Sequence, residues 1–137
     1  MLFVTLPFLL ALWEYNLINI VERMSVEKKN AYIGVDLGGT NMRAGRIVGD
    51  RLVAQGSAPT PKDAADCEET LEALIEVIRS VWDESVVAIG IGVPSVVDRE
   101  KGIVYNVVNI PHWEEVHLKE ILEACFCLLY TSPSPRD

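Results

Sequence analysis

Hydrophobic and polar positions alternate and cluster along this chain in a way that predicts a run of elements between two atypical ends. Ala31–Asp36 (AYIGVD) is a short, largely apolar stretch that ends at Gly38-Gly39, and it predicts a strand buried on both faces. Asn41–Val48 (NMRAGRIV) alternates, and Gly49-Asp50 predicts a tight turn into a third strand, Arg51–Gly56. Asp66 with Glu69 three residues on has the pattern of a helix capping box, with Asp in place of Ser or Thr. Leu71, Leu74, Ile75, Ile78, Val81 and Trp82 then recur at the spacing of one helix face, which is a packing stripe and not a cofactor site. Asp83–Ser85 break that helix, and Val86–Val93 (VVAIGIGV) predicts a second buried strand. Val96–Val104 places Asp98–Gly102 between two apolar arms, a hairpin signal. A last helix begins near Val116, with Leu118, Ile121, Leu122 and Cys125 on one face. Three strands, a helix, a strand, a hairpin and a helix make an α/β arrangement.

The ends read differently. Met1–Trp13 is nearly all apolar but stops at Glu14, short of the roughly 20 residues that a membrane span needs. It lacks the basic start and small-residue cleavage site of a signal peptide. Met24 opens a stretch that looks like a cytoplasmic start. Residues 1–23 are therefore expected to be an apolar leader from a misplaced start, with an interfacial anchor or a packed helix as alternatives. At the other end, Cys127–Asp137 (CLLYTSPSPRD) is similar, residue for residue, to the translation of a transposon adaptor used in sequencing libraries. Residues 127–137 are expected to be a non-native tail, and 24–126 the natural domain.

Composition narrows the chemistry. The 137 residues carry 20 acidic and 12 basic side chains, a formal net charge of −8, with no basic cluster. Nucleic acid is not an expected partner. Phosphates of a nucleotide remain possible ligands, because backbone amides, a few polar groups and Mg²⁺ usually hold them. Three cysteines without regular spacing give no disulfide framework and fit a reducing cytoplasm. Cys125-Phe126-Cys127 has the spacing of a metal pair, but no third ligand accompanies it and a structural zinc needs four.

The chemistry-bearing segment is Asp36-Leu37-Gly38-Gly39-Thr40-Asn41, at the end of the first strand. Two glycines let the backbone turn where a Cβ would exclude a ligand, and amides pointing into such a turn form an anion nest. Thr40 adds a hydroxyl, Asp36 is placed to hold Mg²⁺ through its waters, and Arg43 could reach a phosphate from the second strand. The competing interpretation is a type I′ or II′ hairpin turn. No P-loop is present, and Gly90-Ile91-Gly92 precedes Val93-Pro94-Ser95 and a hairpin, which is the wrong context for a Rossmann fingerprint.

YIGVDLGGTNMRAGRI resembles the first phosphate motif of the ROK family of sugar kinases, within the actin-like, ribonuclease-H-like ATPases. AIGIGVPSVVDREKGIV resembles that family's glycine-rich strand and hairpin, and VVNIPHWEEVHLKEILEACF its Asn-Leu-Pro-Gly-Trp stretch and following helix. The resemblance implies an incomplete amino-terminal lobe of the actin-like fold in a glucokinase-like, ATP-dependent hexose kinase that is cytoplasmic and homo-oligomeric. By position it implies that Asp36, Gly38, Gly39, Thr40, Asn41 and Arg43 meet ATP phosphates or their Mg²⁺. It implies that Asn109 meets sugar hydroxyls, unless it merely caps a loop, and that Ser95 stands where the family has Gly beside the sugar. His112 replaces the family's usual Gly; His112 and His117 are expected at the surface, with Trp113 as packing. The general base, an Asp in an Asn-Asp pair, and a structural zinc are implied beyond Phe126, so the chain alone is expected to be inactive. The alternatives are a sugar-responsive ROK regulator, for which the basic two-helix unit is missing, and another actin-like sugar or acid kinase. The sugar itself stays open.

Overall fold

A computed structural model describes the backbone of Leu2–Thr5 and all of residues 29–126. Its strands are β1 (Leu2–Thr5), β2 (Ala31–Leu37), β3 (Asn41–Val48), β4 (Arg51–Pro59), β5 (Val86–Gly92), β6 (Val96–Asp98), β7 (Ile103–Tyr105) and β8 (Glu115–Val116). The helices are α1 (Cys67–Val81) and α2 (Leu118–Cys125). Five strands form one sheet in the order β1-β5-β2-β3-β4, and β6-β7-β8 form a second. β2 and β5 are parallel and all other neighbours antiparallel. The β2–β3–β4 meander and the crossover through α1 into β5 follow the predicted order.

The meander is set by its turns. Gly49 has φ 63°, as a two-residue hairpin loop demands, and the register Val48↔Arg51 closes the strands around it. Asp66 caps α1 as expected: its Oδ1 accepts from the Glu69 N–H at 3.0 Å. Glu69 Oε2 reaches back to the Ala65 N–H at 3.0 Å. Thr70, Leu71, Leu74, Val77, Ile78 and Val81 are the buried face, with Ile75 and Trp82 partly buried beside it. The predicted stripe is therefore core, rotated slightly so that Val77 takes the place given to Ile75. Gly56 lets β4 approach α1, since a Cβ there would collide with Ser80 Oγ. Trp82 stacks on Phe126, ring centroids 4.8 Å apart, and so joins the ends of the two helices.

Three features differ from the expectations. β2 is buried on one face only: Ala31, Ile33, Val35 and Leu37 point into the core while Tyr32, Gly34 and Asp36 are exposed. Glycine breaks what looked like a continuous apolar run, and the strand in fact alternates. Leu2–Thr5 belongs to the sheet, pairing antiparallel with β5 from Leu2↔Ile91 to Thr5↔Ala88. Judged only as a leader or helix, this β-branched and aromatic run offers backbone groups that the second edge of β5 would otherwise lack. The rest of residues 1–23 and the 127–137 tail, with Cys127, lie outside the described residues. The two-residue β8, paired with β7, was too short to carry a sequence signal. Among the described residues no helix is long and apolar enough to cross a membrane.

The cap and the core give separable costs. Asp66→Ala is expected to lower stability by about 1 kcal/mol, and Leu74→Ala, fully buried, by about 2–5 kcal/mol. Urea unfolding followed by far-ultraviolet circular dichroism measures both.

Candidate active site: a glycine turn facing an asparagine loop

The sheet delivers the predicted motif to one end of β2. Gly38–Asn41 close β2 onto β3, with the Gly38 N–H donating to the Asn41 carbonyl at 3.0 Å. Neither Gly39 nor Thr40 has a positive φ, so the turn is not type I′ or II′. The glycines are there for space. A Cβ on Gly38 would lie 2.8 Å from the Asn41 carbonyl oxygen, and one on Gly39 would lie 2.7 Å from Asn109 Cβ. Among the described residues no backbone carbonyl accepts from the Gly39 or Thr40 N–H. Two adjacent amides without partners among the described residues are free to bind an anion.

Thr60, just past β4, holds this turn in place. It is 2% exposed; its Oγ1 donates to the Gly38 carbonyl at 2.6 Å and its N–H to the Thr40 carbonyl at 2.9 Å. Both bonds occupy carbonyls and consume none of the turn's N–H groups. Sequence reading missed Thr60. The one available signal was a Thr-Pro pair directly after an alternating strand.

The facing loop, residues 106–113, is shaped by unusual backbone. Asn106, Asn109 and His112 have φ of 46°, 69° and 65°. Asn tolerates the left-handed region, whereas His does so at a cost. The His112 Nε2–H donates to the Ala64 carbonyl at 3.1 Å, which ties this loop to the β4–α1 connection. His112 and His117 are exposed and Trp113 is buried, as expected. Asn109 lines a cleft with Gly39, Thr40, Lys62, Ile110 and Pro111.

The predicted residues fall into three places. Gly39, Thr40 and Asn109 come together in that cleft. Asp36 and Arg43 are register partners on the exposed face of β2 and β3 and line a second, shallow groove. Ser95 is in neither: its Oγ donates to the Tyr105 carbonyl at 2.7 Å, across the β6–β7 hairpin. Gly38 and Asn41 frame the turn itself. Among the described residues no three His, Cys, Asp or Glu side chains form a metal cluster. Mg²⁺ needs only one or two carboxylates besides phosphates and waters, so the exposed Asp36 beside the nest fits that ion. Cys67 is a free thiol at the start of α1. Burial pushes its thiol pKa up, and the charges of Asp66 and Glu68 push it further.

A three-strand meander, a helix crossover to a parallel strand and a phosphate-type turn at the end of the first meander strand define the amino-terminal lobe of an actin-like ATPase. The ROK family profile matches residues 32–128, and the chain belongs to that family. It is 35% identical over 98 residues to a glucokinase of Streptomyces coelicolor, which covers 67% of this chain and 28% of the relative. The crystal structure of a ROK hexokinase from Thermus thermophilus superposes with a TM-score of 0.58 at 34% identity, covering 72% of this chain and 33% of that one. A ROK glucokinase from Streptomyces griseus, in complex with glucose and AMPPNP, superposes with a TM-score of 0.59 at 26% identity, covering 72% and 31%. The chain thus spans about a third of the length of its relatives.

The clamp makes a direct prediction. Thr60→Val removes the hydroxyl and strands the Gly38 carbonyl, and it should cost about 1–3 kcal/mol in urea unfolding. Amide hydrogen exchange at residues 38–41 should speed up in the same variant, while that of α1 keeps its wild-type pattern relative to global stability.

Proposed function

We propose that the complete protein is an ATP-dependent hexose kinase of glucokinase type and that this chain supplies its phosphate-binding lobe. One observation carries the reading: a clamped turn with two amides, at Gly39 and Thr40, that have no partner among the described residues faces Asn109 across a cleft. The amides and the Thr40 hydroxyl suit phosphate oxygens, and the Asn109 amide both donates to and accepts from a sugar hydroxyl. The relative crystallised with glucose and AMPPNP supports both ligand classes.

In this reading the β2–β3 turn holds the donor phosphates while Asn109 orients the acceptor. A sugar hydroxyl oxygen forms a bond to the terminal phosphorus as the bond to the bridging oxygen breaks, leaving ADP. The hydroxyl proton passes to a carboxylate base, which the resemblance puts past Phe126. Asp36 would hold Mg²⁺ through its water shell; the ion, when bound, neutralises charge on the phosphates. Asn41 and Arg43 flank the same turn and add polar and cationic contacts to the donor, whereas Ser95, bonded to the Tyr105 carbonyl, takes no part. We place the protein in the cytoplasm as a homo-oligomer acting on a free hexose, without nucleic acid or membrane as partner.

Asp36→Ala in the full-length kinase is expected to abolish turnover, a loss on the order of 10³-fold or more, with the unfolding midpoint unchanged. A coupled ADP-release assay over a panel of hexoses measures it. ADP release that needs no sugar, or an Asp36→Ala variant with wild-type turnover, would rule the assignment out.

A further inference from the structure

The connection between β4 and α1 is pinned at two points. Thr60 bonds twice to the glycine turn, and the Ala64 carbonyl accepts from His112 of the asparagine loop. Lys62 lies midway between these anchors, so its backbone is fixed relative to both walls of the cleft. Lys62 lines that cleft together with Gly39, Thr40 and Asn109, and among the described residues lining it Lys62 alone is charged. Among the described residues no carboxylate lies within 4.0 Å of its ammonium. Arg43, the other cation near the motif, lines the groove on the exposed sheet face and not this cleft.

An exposed lysine on a loop is ordinarily just solvated. Three facts distinguish this one among the described residues: the loop is anchored on both sides of it, the cleft it lines has unpartnered amides, and no carboxylate lies within 4.0 Å of its ammonium. On a chain of formal net charge −8, a cation at this point offsets local repulsion of an incoming polyphosphate. A lysine reaches such a group as a compact point charge on a flexible stem.

Taking the sugar-kinase reading above as given, we propose that Lys62 is a catalytic residue that contacts the terminal phosphoryl group as it passes from nucleotide to sugar. It changes no bond and keeps its protons throughout. Its contribution is to offset the charge spread over the three equatorial oxygens of the group in transfer. Such a contact strengthens in the transition state and therefore appears in kcat more than in hexose KM.

The test compares wild type, Lys62→Ala and Lys62→Arg in the full-length kinase. Lys62→Ala should lower kcat about 100-fold and leave the hexose KM within about twofold. Lys62→Arg should recover at least about a tenth of wild-type kcat, because the charge returns in a different shape. Calorimetric titration with inorganic tripolyphosphate, which needs no sugar or turnover, should show binding at least about tenfold weaker in Lys62→Ala. The unfolding midpoint should stay unchanged, as befits an exposed side chain. If wild type phosphorylates hexoses while Lys62→Ala keeps its kcat and its tripolyphosphate affinity, the role of Lys62 is refuted and the kinase reading stands. If wild type phosphorylates no hexose, that reading falls, and the tripolyphosphate comparison alone decides whether Lys62 binds phosphate. A loss seen only in hexose KM, unrescued by Arg, would also overturn the proposal by moving Lys62 to the sugar.

Discussion

Two hydrogen bonds from one buried threonine hold the site together. Thr60 takes the Gly38 carbonyl with its hydroxyl and the Thr40 carbonyl with its N–H. A glycine-rich turn is the part of a chain with most conformations to lose, so a nest of free amides is entropically the least favoured arrangement there. Occupying the carbonyls from outside removes the turn's alternatives without consuming its donors. The clamp sits at the end of β4, which β3 positions along an eight-residue ladder. Sheet register thus becomes site geometry.

The same economy explains the glycine pair. Gly38 is required by the turn's own closure against Asn41, and Gly39 by the approach of Asn109. A residue read first as an opening for phosphate is equally the contact point between the two walls of the cleft. Any side chain at position 39 would push the glycine turn away from the asparagine loop. Preorganisation of both walls is therefore written into one missing methyl group.

Much of this was legible in the sequence because it is local. The β2–β4 meander, the Asp66 cap, the helix stripe and the glycine turn each rest on spacing within a few residues. What stayed hidden depends on partners far along the chain. Thr60 reaches back 22 residues to Gly38, and His112 reaches 48 residues to Ala64. No periodicity reports such bonds. Leu2–Thr5 joined the sheet because an open strand edge takes an extended apolar run, a condition visible only once β5 has its place. The burial of β2 was overestimated because glycine counts as apolar in a pattern yet covers nothing: a Cβ on Gly34 would meet no atom within 4 Å. Ser95 is the converse case, since a hydroxyl in a promising position turned out to be committed to the Tyr105 carbonyl.

His112 shows how the loop can hold an unfavourable residue. A left-handed conformation costs a side-chain-bearing residue about 1–2 kcal/mol, and glycine would avoid it. Glycine, however, could not donate to Ala64. A neutral hydrogen bond contributes about 0.5–1.5 kcal/mol, so the bond and the strain nearly cancel in stability. What remains is a geometric effect. That bond joins the loop carrying Asn109 to the connection carrying Lys62, and Thr60 fastens the connection to the glycine turn. Strain at position 112 is tolerated because it is balanced locally, and the balance leaves three loops from different parts of the chain converging on a single cleft.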